Sequence, residues 1–251
     1  MKEIFEILSG YNVLAFADAI KINLNERYDQ KFLLPIHLVL PIFENLQSDF
    51  FVQEGAEHFF QPYKTKYWDS LSFDFYSNHA KGRGKRLKVR KRLYTNTNTA
   101  FLEIKKKEHN KTLKHRIKAS YSNDFSNNEI SFLKKEGINH HHLLPVLEVD
   151  YNRITLWDKE KDGRITLDFN FSPSKGSENH QFNNVVIIEI KGSIAFINRM
   201  IRRMPFPINR YSTSFSKYGI GMIFCHNFPK QRYKNFLLVH KHLQKLNSNL
   251  C

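Results

Sequence analysis

Residues 87–107 read LKVRKRLYTNTNTAFLEIKKK. Lys88, Arg90 and Arg92 alternate, a polar turn follows, and Glu103, Lys105 and Lys107 alternate again. Side chains two apart on a strand share a face. One face of the hairpin expected here therefore gathers five cations and one carboxylate. The other face mixes Val89, Leu93, Leu102 and Ile104 with Lys91 and Lys106.

The same spacing recurs along the chain. Asp29 and Lys31, Tyr151 and Arg153, Arg164, Thr166 and Asp168, and Glu189 and Lys191 all sit two apart. Their off-face neighbours are mainly apolar: Ile165, Leu167, Ile188 and Ile190. A single strand of this kind suits a solvated outer face. Solvent faces, however, usually mix both signs of charge with neutral polar groups, and here cations lead in strand after strand. If the apolar faces turn outward under helices, the charged faces line the inside of a barrel wide enough for a small ligand. Two such cations at 4 Å repel by about 4 kcal/mol at an effective dielectric near 20. A dense anion would relieve that repulsion. Arginine offers a fork for phosphate oxygens and lysine a point charge. Carboxylates in the same lining suggest a hard divalent cation, since Mg²⁺ takes one or two carboxylates beside substrate phosphates. For Glu189, Glu103 and Asp29 the alternative is an internal salt bridge, to Lys191 or Lys105 for instance.

The totals agree with a polyanion partner. The chain has 251 residues and a formal charge of +15, which points to nucleic acid, an anionic surface or a phosphate-rich ligand. Its two cysteines, Cys225 and Cys251, form no disulfide framework or zinc motif, which fits a reducing cytoplasm. No apolar run reaches membrane-span length, and Glu3 and Glu6 interrupt any secretory leader.

Coarse patterning predicts an amphipathic helix over 1–10, strands at 26–34 and 66–77, and a helix over 36–48 interrupted near Pro41. It predicts helices and a loop over 111–136, and a hairpin of 144–157 with 163–171 turning at Asp162-Gly163. A strand at 183–192, a helix at 193–204, a strand or strand-to-helix junction at 214–224 and a basic helical tail at 229–247 complete the chain. The expectation is an α+β single domain over 1–251. Its core is an antiparallel barrel of about eight strands, with flanking and terminal helices.

At this point the chain resembles a family, the VTC domain. This is the polyphosphate polymerase branch of the CYTH-like triphosphate tunnel metalloenzymes. The segments that carry the resemblance are ERYDQKFLL, SLSFD, LKVRKRLY, FLEIKKK, PVLEVDYNRITL, GRITLDFN, VVIIEIKG and SFSKYGIGM, in order over roughly residues 24–224. The resemblance implies a closed barrel whose tunnel binds ATP, triphosphate or inorganic polyphosphate with Mn²⁺ or Mg²⁺. It implies Lys31, Arg90, Arg92, Lys105, Arg153 and Lys217 as the catalytic phosphate ligands. Lys88, Lys107, Tyr151, Arg164, Lys191 and Ser216 would bind substrate beside them, and Glu189 would lead the metal ligands. Eukaryotic members move the γ-phosphate of ATP onto a growing polyphosphate chain; other members of the wider group hydrolyse triphosphate or cyclise ATP. Two departures stand out. The wider group often carries ExExK on its first strand, whereas here Asp29 stands two before Lys31. No sensor domain or anchor accompanies the motifs, so a free-standing domain of bacterial type is expected.

Other signals are weaker. Three adjacent histidines, His140–His142, cannot all face one ion from an extended segment and read as a loop. The KGRGK stretch at 81–85 lacks the full P-loop pattern and would serve as a basic rim. Cys225 reads as a small buried residue. Two rivals to an enzyme remain: a tunnel that binds polyphosphate without turnover, and a nucleic-acid binder using its surface field.

Overall fold

The hairpin forms as read, and the rest of the sheet is built outward from it. In the computed structural model, residues 2–19, 21–22, 28–55, 59–109, 111–229, 234 and 236–248 are described. Glu26, Arg27 and Cys251, and residues 230–233 and 235 of the basic tail, lie outside them. The helices are α1 (Lys2–Leu8), α2 (Phe16–Ala19), α3 (Leu40–Leu46), α4 (Asp74–Ala80), α5 (Asn127–Lys135), α6 (Ile194–Arg203), α7 (Lys217–Cys225) and α8 (Leu237–Ser248). The strands are β1 (Asn12–Leu14), β2 (Tyr28–Pro35), β3 (Phe50–Gln53), β4 (Gln61–Asp69), β5 (Lys85–Tyr94), β6 (Thr99–Glu108), β7 (Lys111–Ala119), β8 (Leu144–Asp158), β9 (Gly163–Lys175), β10 (Glu178–Asn179) and β11 (Val185–Gly192).

The main path of the sheet runs β2-β11-β9-β8-β4-β5-β6-β7, antiparallel throughout, so the α+β class is as expected. Six steps separate Lys31 on β2 from Lys105 on β6. On a flat sheet that is about 29 Å at about 4.8 Å per step, some three Debye lengths. Yet Lys31 is among the cations that depress the proton affinity of both Lys88 and Lys105. The sheet therefore curls until its ends face one another.

It does not close into the expected hydrogen-bonded barrel. Among the described residues β7 and β2 do not pair. Part of the free side of β2 is used instead by a loop: Thr213 N donates to Lys31 O at 2.9 Å, and Phe32 bridges to Ser212.

The apolar faces point outward, as the alternation requires. Ile154, Leu156, Ile165, Leu167, Ile188 and Ile190 pack under α1, α3 and α6. Val89, Leu102 and Ile104 pack with Trp68 against Leu133 of α5. Inside the curl, α7 covers part of the concave face, setting Tyr218, Ile220 and Met222 beside Leu33, Val149, Phe171 and Ile187.

Three segments differ from the sequence reading. The strand at 66–77 ends at Asp69, because its buried carboxylate accepts N–H groups of Ser70, Phe75 and Tyr76 and starts α4 instead. Residues 111–119 form β7, an exposed edge strand too polar to reveal its period. Residues 217–225 form α7, capped by Ser216, whose hydroxyl accepts Gly219 N at 3.1 Å. The helix expected over 36–48 is broken near Pro41 as read: a 3₁₀ turn over Ile36–Leu38 gives way at Val39 to α3, with Pro41 in its first turn. The β8–β9 hairpin is as expected, but Lys161, not Gly163, takes positive φ (63°). Gly163 is needed for another reason: a Cβ there would lie 2.3 Å from the Phe196 ring and 2.4 Å from Lys191 O.

Candidate functional site: a curled basic face

The concave face gathers cations from β2, β11, β9, β8, β5, β6, β7 and α7, in three clusters held by carboxylates and one group without any. In the first cluster Asp168, which is buried, accepts Nε of Arg153 at 2.6 Å and Nη2 at 2.8 Å, and also pairs with Lys217. Burial works against the Arg153 charge, and Asp168 more than offsets it, leaving its proton affinity well above the usual value. Lys217 ends lower, at about 8, because burial and then Arg153 outweigh the help of Asp168. Tyr151 supplies an aromatic wall, with Lys217 Nζ 4.5 Å and Arg153 Cζ 5.5 Å from its ring centre.

In the second cluster Glu103, only 1% exposed, meets Arg90 at 2.6 Å, Lys114 at 2.9 Å and Arg92 at 3.9 Å. Burial alone would raise its pKa; the three cations hold it well below the carboxylate range. Lys114 is lowered to about 8 by burial against the pull of Glu103. Glu103 as a metal ligand has these three cations against it.

In the third, Glu189 contacts Lys31 at 3.0 Å and Lys191 at 2.9 Å, and Lys31 also reaches Asp29 at 2.6 Å. Asp29 and Glu189 come from adjacent strands and share Lys31 between them. Burial opposes the Glu189 charge, yet Lys191 and Lys31 hold its pKa well below the ordinary value. Beside Glu189 in register, the Thr166 hydroxyl is buried with no hydrogen-bond partner, as is the Tyr151 hydroxyl. Two carboxylates and an orphaned hydroxyl are oxygen donors of the kind Mg²⁺ and Mn²⁺ take, so this corner of the face fits a hard divalent cation. Arg164 stands next to it, over the Trp157 ring at 5.0 Å.

The group without carboxylates is Lys88 and Lys105, directly opposite each other on β5 and β6. Among the described residues no carboxylate lies within ion-pair distance of either. Lys88 donates to Ser216 Oγ at 3.0 Å, at the N-terminus of α7. Burial, then Lys105 and Arg90, push its pKa well below the lysine value. Lys105 stands open in the concavity and is lowered by lost hydration and by Arg90 and Lys31. Lys107 pairs in register with Arg86 at the far end of the row. There the half-buried His79 of α4 stays neutral, its pKa lowered to about 2 by lost hydration and by Lys88 and Arg86.

The residues expected to bind phosphate or metal lie on or beside this face. The sequence reading set Thr166 and Asp168 in the alternating lining beside Arg164 without giving them a role, and it missed Lys114 and His79. Lys114 was hidden by reading β7 as helix. The acidic group Asp158, Glu160 and Asp162, on the outer side, is tied up by Arg199 at 2.6–3.8 Å. His140–His142 form a single 3₁₀ turn. Cys225 is buried, its thiol pushed up to about 11 by burial. No helix among the described residues is long and apolar enough to cross a membrane.

Among curated proteins none matches the chain. Its fold is shared with solved structures at low identity. A candidate adenylate cyclase from Bacillus halodurans superposes with a TM-score of 0.51 at 13% identity, over 75% of this chain and 92% of that one. A candidate adenylyl cyclase from Hippeastrum, described as having a dominant triphosphatase activity, also gives 0.51, at 12% identity over 80% and 97%. Residues 26–226, which include every candidate site residue above, match the family model of the VTC domain. The chain belongs to the VTC domain family.

Proposed function

We propose that the chain is a single-domain cytoplasmic enzyme that binds nucleoside triphosphate or polyphosphate in the concave face and transfers a phosphoryl group. The most favoured reaction moves the γ-phosphate of ATP onto a polyphosphate chain. The observation that carries this is the cation row with Lys88 and Lys105 left without carboxylates. Its self-repulsion is relieved by an anion dense enough to touch several strands at once.

In this reading Arg90, Arg92 and Arg153 grip phosphate oxygens with their forks, while Lys31, Lys88, Lys105 and Lys217 add point charges. Glu103 and Asp168 hold the arginines and Lys217 in place before substrate arrives. Lys107, Arg164 and Lys191 extend the row, and Ser216 and the N-terminus of α7 add donors and a favourable dipole. The Tyr151 hydroxyl donates to a phosphate oxygen. Glu189 and Asp29 would hold Mn²⁺ or Mg²⁺, which when bound supplies charge neutralisation at the transferred phosphoryl. Phosphoryl transfer needs in-line positioning and charge stabilisation more than covalent help, and this is what the fixed cations offer.

The acceptor decides the product: a phosphate end makes a polymerase, and water makes a triphosphatase such as the one described for the Hippeastrum protein. The test is incubation with γ-labelled ATP and Mn²⁺ or Mg²⁺, with products resolved by size and Glu189→Gln run alongside. A ladder of labelled polyphosphate lost in the variant supports the polymerase. Free phosphate alone assigns a hydrolase. ATP binding without either product, unaffected by Glu189→Gln, would replace the enzyme with a binding module.

A further inference from the structure

A second concavity adjoins the cation row. It has a volume of about 260 Å³ and is lined by Phe16, Tyr63, Tyr94 and Asn96, with Gln61 and Thr95 at its sides. Tyr63 is shared with the site: Arg92 and Arg153 lie 5.6 and 5.4 Å from its ring centre. Its ring stacks on Tyr151 at 5.1 Å and meets Tyr94 edge-on at 5.0 Å. Tyr94 continues the Lys88, Arg90, Arg92 alternation of β5, so the pocket begins where the cations end.

The walls differ in how they are held. Gln61 is committed at both ends: its Nε2 donates to Glu54 O at 3.1 Å, and its Oε1 accepts from Tyr63 at 3.1 Å. Phe16 is fixed through its backbone N–H to Glu54 at 3.2 Å. The Asn96 amide and the Thr95 hydroxyl, on a single exposed turn, have no side-chain partner among the described residues. The pocket thus offers fixed aromatic walls and one free amide carrying a donor and an acceptor. Its volume lies at the low end for ligand sites and suits one planar heterocycle. An aromatic face stacks any base, and an amide matches the paired donor and acceptor of a base edge.

We propose that this pocket receives the base of a nucleoside triphosphate whose phosphates lie on Arg92 and Arg153, making the chain selective for nucleotides over inorganic triphosphate. The proposal rests on the triphosphate-binding reading above. Phe16 precedes the residues that match the family model, so one wall of the pocket belongs to this chain's N-terminal segment rather than to the shared domain.

The experiment is calorimetric titration of the full chain with ATP, GTP, UTP and inorganic triphosphate, repeated on Phe16→Ala and Asn96→Ala. Wild type should bind ATP about tenfold more tightly than inorganic triphosphate, from stacking on the aromatic walls. Phe16→Ala should remove that advantage and leave triphosphate affinity unchanged. Asn96→Ala should compress the differences among the three nucleotides. Equal affinities for ATP and triphosphate in wild type, with both variants unchanged, would overturn the pocket while leaving the cation row intact. Absence of binding by any of the four ligands would overturn both. Should Phe16→Ala weaken all ligands equally through the fold, Asn96→Ala on its exposed turn decides: unchanged nucleotide ranking sinks the proposal.

Discussion

The two faces of the β5–β6 hairpin carry the same kinds of side chain and handle them oppositely. On the convex face Lys91 is fully buried with Glu129 at 3.1 Å, Lys106 meets Glu136 at 2.8 Å, and Lys66 on neighbouring β4 meets Glu148 at 3.2 Å. Each cation there has its own carboxylate. On the concave face Lys88 and Lys105 have none within reach among the described residues, and burial depresses the Lys88 charge further. Spare carboxylates were available, since Glu129, Glu136 and Glu148 are all spent outside. The difference teaches that Lys91 and Lys106 on the hairpin's convex face fasten the fold, whereas its concave face pairs Arg90 and Arg92 with Glu103 and leaves Lys88 and Lys105 without a carboxylate among the described residues.

The contrast can be broken from the convex side first. Lys91→Ala leaves Glu129 buried without its partner and should cost about 3–5 kcal/mol, read from urea unfolding. A loss below about 1 kcal/mol, the surface ion-pair range, would mean that the convex pairs do not fasten anything. From the concave side, triphosphate at a hundred times its Kd should stabilise the chain by about 2.7 kcal/mol, seen as a raised Tm. No shift with triphosphate, polyphosphate or sulfate would remove the anion site. Lys88→Met sharpens the comparison: it should weaken triphosphate binding about tenfold, roughly 1.4 kcal/mol, and raise the Tm of the ligand-free chain. Lys66→Met should leave triphosphate affinity as it is.

The smallest effect is in pH. Lys217 and Lys114 fall from the ordinary 10.5 to about 8. Between those values the unfolded chain holds more protons than the folded one, so these groups make stability rise with pH from about 8 to 10.5. A bound polyanion favours the charged lysines. Triphosphate binding should therefore take up protons in that window, and affinity should fall as pH passes about 8. Calorimetry in two buffers of different ionisation enthalpy reads the uptake, and Lys217→Arg should flatten the profile. A proton count unchanged between Lys217 and Arg would rule out Lys217 as the source.

Much of this was legible beforehand because alternation is a strong signal when both faces are buried. Lys88 to Arg92, Arg153, Arg164 and Glu189 could be read from spacing two and their apolar neighbours. Where the neighbours are not apolar the signal fails: in β7 only Leu113 and Ile117 alternate with charges, so Lys114 was lost. Phe73 and Phe75 alternate like a strand, but Asp69 accepts the Phe75 and Tyr76 N–H groups and starts α4 there. Which carboxylate holds which cation is also outside any spacing rule. Lys217 meets Asp168 only because α7 enters the curl, a contact across 49 positions. Nor does spacing show what meets the β2 edge: among the described residues no strand ladder closes the sheet there, and the contact at Lys31 and Phe32 comes from a loop far along the chain.

That seam has a consequence for how the molecule behaves in company. Residues 212–213 touch β2 at Lys31 and Phe32, while β7 is the margin of the main sheet path that pairs with no further strand among the described residues, and bare margins invite sheet-to-sheet aggregation. Lys111, Lys114, Arg116 and Lys118 lie along it, largely exposed. Two copies approaching margin to margin would bring these rows together and repel. The chain's solubility is thus guarded by charge, and the guard weakens as ionic strength shortens the reach of each lysine.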